Sequence, residues 1–399
     1  MDFGLTSEQR RLQSKCRELA QDFAGRAAAH DRDASHPVEN YRRLIEEGFL
    51  ALSVGRERGG AGASFLDHTI AYEALGQGCP STALAFNMHA SVVMPLLQSP
   101  EVSEDSKRHV ADLVVRQDKL IAGNFSEPDT TSLINARPLK ARARRVAGGW
   151  RVSGRKMFAS MLEAADFVLV MAYPDDATEP FAGMILLLPR AAEGRRVEAN
   201  WDVLGMRATR SDSLILDDCF LPDEAAVYRS GNIRPFRHAY LNWFWGSYTP
   251  VYLGVAQAAF DEVRRVMQAR RPEGYAQTLA CHPDVRRHVA LMSADIEAAR
   301  LAMYRSAWLS DTEGPTAETT AALYRAKYLV GEAASRVTRA ALTLGGAHGI
   351  FKPSRLEQLF RDAALGPLHP PPADFCLDNV GIHELGLDPA GLPPPLTQL

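Results

Sequence analysis

Between Leu120 and Phe220 the hydrophobic pattern of this chain changes period, and that change constrains the fold more than any other feature. Trp150-Arg151-Val152-Ser153, Phe167-Val168-Leu169-Val170-Met171, Met184-Ile185-Leu186-Leu187-Leu188 and Ser213-Leu214-Ile215-Leu216 are short, partly β-branched runs. Gly148-Gly149, Pro174-Asp175-Asp176 and Pro189 separate them, as turns separate strands. The alternating runs predict strands with one face toward water, and the fully apolar runs predict strands buried on both faces. The block reads as a small, mostly antiparallel β domain inserted between helical regions.

On either side the spacing is helical. Thr6 and Gln9 have the spacing of a capping box, and Leu12, Cys16, Leu19 and Phe23 form one apolar stripe behind them. Further helices are expected over Tyr41 to Phe49, from about Ser64, and from Ser81 through Leu97, with Gly59-Gly60-Ala61-Gly62 breaking the chain between the first two. Beyond about Arg237, Leu323, Ala326, Val330, Ala333, Val337, Ala341 and Leu344 repeat every three or four residues, and Gly345-Gly346 stops that helix. Several long amphipathic helices imply a four-helix bundle. The fold class is therefore α+β: a helical domain over residues 1–118, a β domain over 119–232 and a helical bundle over 233–399. The proline-rich tail (Pro389, Pro393, Pro394, Pro395) is expected on the surface with little structure of its own.

The totals exclude several function classes. A formal net charge of -3 over 399 residues gives no electrostatic reason to expect nucleic acid or an anionic membrane. Clusters such as Arg142-Ala143-Arg144-Arg145 are short and lack interleaved aromatics. The five cysteines (Cys16, Cys79, Cys219, Cys281, Cys376) have no motif spacing, which argues against a disulfide framework or a metal site and for reduced, mostly buried thiols in the cytoplasm. Charge from Glu8 to Arg17 argues against a signal peptide, and no apolar run approaches the roughly 20 residues of a membrane helix.

The residues with chemical promise lie in two places. Phe125-Ser126-Glu127-Pro128 and Phe158-Ala159-Ser160 combine hydroxyl-bearing turns with an aromatic on a strand. A flat, hydrogen-bonding cofactor such as a flavin needs donors along its polar edge, which Ser126, Ser160 and nearby backbone N–H groups could supply, and packing for its rings, which Phe158 could supply. Taken alone, Ser126 reads equally as a turn residue and Phe158 as a core aromatic. Gly345, Gly346 and Gly349 permit close backbone approach to a phosphate, and Arg270 and Arg271 could neutralise a pyrophosphate; a helix cap and a solvated helix end account for the same residues.

In order along the chain, Gly48 with Gly59-Gly60-Ala61-Gly62, Ser126-Glu127-Pro128 through Ser132, Gly154 through Ser160, Leu204-Gly205-Met206-Arg207, Asp217 through Pro222, Gly345-Gly346-Ala347-His348-Gly349 and Arg361-Asp362-Ala363 resemble the motifs of the acyl-CoA dehydrogenase family. The resemblance covers almost the whole chain. It implies FAD, with FMN as the variant, held by Phe125, Ser126, Ser132, Phe158, Ala159 and Ser160 at the ring system. Arg271, Gly345, Gly346 and Gly349 would hold the adenosine diphosphate half, partly across a subunit boundary. A homodimer or a homotetramer built from dimers follows from that.

Three departures matter. Leu342 stands where the family usually has a glutamine before the paired glycines. Counting forward from Arg361-Asp362-Ala363 places Pro370, inside Leu368-His369-Pro370-Pro371-Pro372, where the family's base, a glutamate, usually stands. The alternative base position falls close to Phe244, inside Asn242-Trp243-Phe244-Trp245-Gly246. Removal of an α-proton requires a positioned base. Asp374 is the nearest acid beyond the prolines, with an N-capping role as its structural alternative. His369 is a second candidate, with a surface loop as its alternative. Three readings follow from the resemblance: dehydrogenation of an acyl thioester, passing electrons to an electron-transfer flavoprotein; flavin monooxygenation fed by a separate flavin reductase; or a catalytically altered flavoprotein.

Overall fold

The structure, a computed structural model, describes residues 4–128 and 139–388. Ser132 and the proline-rich tail from Pro389 lie outside the described residues. The chain opens with five helices, α1 (Ser7–Asp33), α2 (Val38–Glu46), α3 (Phe65–Gly76), α4 (Pro80–Gln98) and α5 (Glu104–Val115). Thr6 and Gln9 form the expected reciprocal cap, and Cys16, Leu19 and Phe23 are buried along the inner face of α1. Ser64 caps α3 in the same way, with Asp67 as its partner. The helix expected over Tyr41 to Phe49 begins and ends earlier, because Phe49–Ala51 tightens into a separate 3-10 turn after Gly48.

Eight strands follow: β1 (Ile121–Asn124), β2 (Arg142–Val146), β3 (Gly149–Ala159), β4 (Phe167–Pro174), β5 (Gly183–Pro189), β6 (Arg195–Glu198), β7 (Asp212–Pro222) and β8 (Ala226–Ser230). They form one sheet in the order β6-β7-β3-β2-β4-β5-β8, with β1 added alongside β4. Five pairings are antiparallel; β1 and β2 each run parallel to β4. The apolar runs of β4 and β5 are buried almost throughout, as strands covered on both faces must be. The two longest strands, β3 and β7, pair with register shifts between Val152 and Gly154 and between Lys156 and Ala159.

The remainder is helical: α6 (Arg234–Ala239), a π-helical turn at Asn242–Gly246, α7 (Thr249–Ala269), α8 (Pro283–Glu313), α9 (Ala317–Gly345), α10 (Arg355–Ala363) and α11 (Ala373–Glu384). In α9 the stripe Ala326, Val330, Ala333, Val337 and Ala341 is buried, and it packs on α7 and α8. The helix ends at Gly345, where Gly346 takes φ +64°, a conformation that favours glycine. α7 also packs on α3, so the bundle and the amino-terminal helices share one core. Cys16, Cys79, Cys219 and Cys376 are buried and Cys281 is exposed. Among the described residues no helix is long and apolar enough to cross a membrane.

Candidate functional site

Two buried salt-bridge partners fix the edge of the β domain. β1 delivers Asn124 and then Phe125, Ser126 and Glu127. The Glu127 carboxylate accepts from the backbone N–H groups of Lys140 (2.7 Å) and Ala141 (2.9 Å) and from Lys156 Nζ (2.6 Å). Lys156 comes from β3, is fully buried, and also donates to the Met171 carbonyl. Burial opposes the charge on Glu127, yet Lys156 and the two N–H groups hold its carboxyl below the ordinary range. The pair therefore ties the Ser126 turn to β3. The Met157 N–H donates to the Ser126 carbonyl (3.1 Å) and closes the same junction.

Immediately after Lys156 the ladder slips. Lys156 faces Leu214 and Ala159 faces Asp212, so Met157 and Phe158 on β3 stand against one residue of β7. This is a β-bulge, and it puts Phe158 at φ +58°, in the left-handed region that a bulky residue seldom occupies. Its ring is turned outward, 62% exposed, edge-on to Trp201 with centroids 6.2 Å apart. Phe158 is thus not a core aromatic. Met161, Met206 and Arg210 also have positive φ. Strained backbone of this kind gathers at ligand sites, where the surrounding structure holds it in place.

Next to the bulge Ala159 is fully buried and Ser160 begins a chain of hydroxyls. Ser160 Oγ lies 2.8 Å from Ser211 Oγ, Ser211 Oγ lies 2.9 Å from Thr209 Oγ1, and Thr209 donates to the Met206 carbonyl (2.9 Å). The chain orients the Ser160 hydroxyl from behind. Asn124 is 2% exposed, and neither its Oδ1 nor its Nδ2 has a partner among the described residues. A buried, wholly unsatisfied amide is costly unless a ligand completes it. These features fit a planar group with a polar edge.

Leu204-Gly205-Met206-Arg207 and Arg361-Asp362 meet as one joint. A Cβ on Gly205 would lie 2.2 Å from the Arg361 carbonyl oxygen, so only glycine allows the approach. Asp362 accepts from the Met206 N–H (2.5 Å), and burial pushes its carboxyl up to about 7. Arg361 pairs with Asp31 and with Glu357. Sequence reasoning had no signal for this joint, because its two halves are far apart in the chain.

The start of α7, Lys327 of α9 and the segment after Asp362 build a different wall. The His369 ring stacks on Tyr248 with centroids 4.0 Å apart and planes 5° from parallel. His369 Nδ1 lies 3.0 Å from Tyr252 Oη. Burial, with Lys327 nearby, pushes the imidazole down to about 3, so it is neutral at pH 7. His369 lies in a loop and is half-buried: the flanking Leu368 and Pro370 are exposed, but its imidazole packs on Tyr248 and Tyr252. Lys327 is buried, donates to the Gly366 carbonyl (2.7 Å), and is pushed down to about 8 by burial. Tyr248 Oη has no partner among the described residues. No carboxylate hydrogen-bonds any of these four side chains among the described residues. The helical segment carrying Trp243, Phe244 and Trp245 is buried, and Phe244 meets Phe125 edge-on with centroids 5.9 Å apart.

The remaining sequence candidates lie elsewhere. Asp374 is exposed in the first turn of α11, where Pro372 occupies the N-cap position and no side chain caps the helix. Arg271 is exposed in the connection after α7. Gly345 and Gly349 are buried and Gly346 is exposed at the end of α9, beside exposed Ile350 and Phe351.

A helix–sheet–helix scaffold with this bulged strand and this joint defines a class, and comparison with known proteins identifies it. The acyl-CoA dehydrogenase N-terminal, middle and C-terminal domain families match residues 6–110, 122–219 and 241–368. The chain belongs to the acyl-CoA dehydrogenase family, whose members are flavin-dependent oxidoreductases. It is 29% identical to the putative acyl-CoA dehydrogenase YdbM of Bacillus subtilis, over 96% of this chain and 97% of that one. It is 26% identical to the short-chain specific acyl-CoA dehydrogenase of Clostridium acetobutylicum, over 92% and 96%. Among solved structures, a glutaryl-coenzyme A dehydrogenase in complex with glutaryl-CoA superposes with a TM-score of 0.87 at 25% identity, covering 98% of both chains.

Proposed function

We propose that this chain holds FAD, with FMN as the variant, against the bulged edge of the β domain and acts as an oxidoreductase on an acyl thioester. The carrying observation is the edge itself. The unsatisfied Asn124 amide and the oriented Ser160 hydroxyl offer hydrogen bonds, and the bulge presents Phe158 as a packing surface. When bound, a flavin would supply the acceptor for a hydride. This chain's residues bind it, orient it and set what lies opposite. Ser132 is part of the same proposed contact set. Gly345, Gly346, Gly349 and Arg271 serve the phosphates in the proposal, through an assembly of two or four copies. The exposed apolar residues Leu291, Leu301, Trp308, Ile350 and Phe351 support such an assembly.

A second reading has its own observation. The wall of Tyr248, Tyr252, His369 and Lys327 contains two phenols, a neutral imidazole and an ammonium, and its hydrogen bonds run to one another and to a carbonyl. This suits a reaction that needs no carboxylate on a substrate C–H bond, such as monooxygenation fed by a separate reductase. An electron-transfer flavoprotein is the partner expected under the first reading and a flavin reductase under the second.

One experiment separates them. The purified flavoprotein is mixed anaerobically with a panel of acyl-CoAs and the flavin absorbance is followed. Bleaching by a thioester supports dehydrogenation. Failure of every thioester, with an oxygenated flavin signal when the chemically reduced protein meets air, supports the oxygenase.

A further inference from the structure

Arg237, on the short helix α6 between the β domain and the bundle, is a buried cation with nothing among the described residues to neutralise it. The residue is 9% exposed, yet Nε and Nη2 of its guanidinium have no hydrogen-bond partner among the described residues. Among the described residues the one charged neighbour that perturbs it is another cation, Arg234, which sits over the Phe181 ring 3.9 Å from its centroid. Burial, reinforced by Arg234, pushes the guanidinium down to about 10. His238, the next residue, is pushed down by burial and by both arginines, and among the described residues no acid balances Arg237 or His238. An unpaired charge taken out of water costs several kcal/mol, and native structures rarely tolerate one without a partner.

The pattern of unsatisfied atoms says what the partner is. Nε and Nη2 form one straight edge of the guanidinium fork, with parallel N–H bonds spaced to meet two oxygens of one carboxylate or phosphate. A single carbonyl or water oxygen could reach both N–H bonds only at bent angles and would leave the charge unneutralised. The position is also linked to the site through packed rings. Phe236 stacks on Tyr228 and touches Phe244, and Phe244 touches Phe125 beside the unsatisfied Asn124. The π-helical turn at Asn242–Gly246 lies between Arg237 and α7, and such turns recur at functional sites.

We propose that Arg237 receives, through the Nε–Nη2 edge of its guanidinium, an oxyanion of the substrate: a carboxylate or a phosphate carried at the end remote from the reacting carbon. That the anion belongs to a substrate rests on the reading of the preceding subsection; that an anion binds Arg237 does not.

The test uses thermal unfolding of the flavin-loaded protein, titrated separately with inorganic phosphate, glutarate and coenzyme A against chloride of matched ionic strength. For the wild type, at least one of the three raises the midpoint in a saturable way. Arg237→Gln weakens that apparent affinity about tenfold or more, the loss expected for a charge-assisted pair. Arg237→Lys, which keeps the charge but lacks the fork, falls between. Without anion, Arg237→Gln melts no lower than the wild type, since it removes an uncompensated charge. Response to glutarate alone marks a carboxylate, and response to coenzyme A and phosphate marks a nucleotide phosphate. The proposal is overturned if no anion acts on the wild type, if all act equally on the glutamine variant, or if that variant melts well below the wild type or does not fold. None of these readings depends on flavin reduction, so they stand apart from the acyl-CoA assay.

Discussion

The β-domain edge and the α7 wall are finished in opposite ways. The edge is left open: an unsatisfied amide at Asn124, an outward ring at Phe158, and backbone held at positive φ. The wall is closed on itself: His369 is stacked on Tyr248 and bonded to Tyr252, and Lys327 is bonded to the Gly366 carbonyl. The contrast separates two tasks. Gripping a flat redox group requires unsatisfied donors and a free aromatic face, and the edge has them. Taking a proton from carbon requires a basic group free to accept it, and in the wall the stacked imidazole is pushed so low, and the ammonium is so firmly bonded, that neither is offered as one. In the proposed reading, the first task is retained and the second is rebuilt.

The strongest way to break the edge is through its staple. Glu127→Ala leaves Lys156 buried and unpaired, and should cost about 3–5 kcal/mol, read from urea unfolding. A loss below about 1 kcal/mol would mean that the pair does not hold the edge. Next, Phe158→Ala should weaken flavin retention by about 2 kcal/mol, near thirtyfold, while the flavin-free protein keeps its unfolding midpoint, because the ring is already exposed. Equal losses of flavin and fold would make Phe158 an ordinary structural residue.

The wall is tested by pH. His369 is pushed from an ordinary 6.5 down to about 3. In the window between those values the unfolded chain binds more protons, so stability falls as pH drops. From pH 6.5 to 5 His369 alone should remove about 1–2 kcal/mol. His68 and His89, each buried and pushed down to about 4, add to the slope, while Asp362, raised to about 7, opposes it between about 4 and 7. His369→Gln should flatten the acid limb relative to the wild type; an unchanged slope would show that the imidazole is not held neutral. The smallest effect is expected at Asp374. As an exposed carboxylate on the first turn of α11, its change to asparagine should alter any turnover by less than about twofold, the size of a helix-terminus charge term. A drop of tenfold or more would make Asp374 the base.

Much of the architecture was legible before any coordinates. The capping signal at Thr6, the helix start near Ser64, the stripe on α9 and the doubly buried runs of β4 and β5 are local patterns, and local patterns survive translation into structure. The site was legible only as a list. Phe158 and Ser160 could be named, but a bulge depends on the register between β3 and β7, which no window of either strand contains. His369 read as a surface loop residue because its neighbours are prolines; it is in a loop, but its ring is packed by two tyrosines more than a hundred positions earlier. Arg237 carried no motif at all, and its significance is the absence of a partner, which only the folded environment reveals.

By itself, then, the sequence determined which stretches become helix and strand, the order of the family's motifs, and the proline at the position where a glutamate is usual, since each is carried by residue identity and short spacing. The tertiary structure decided which polar groups are satisfied and which are left waiting: the Asn124 amide, the Arg237 fork, the neutral His369. Burial and hydrogen-bond completion are properties of what converges on a residue from distant parts of the chain, and no local pattern encodes that convergence.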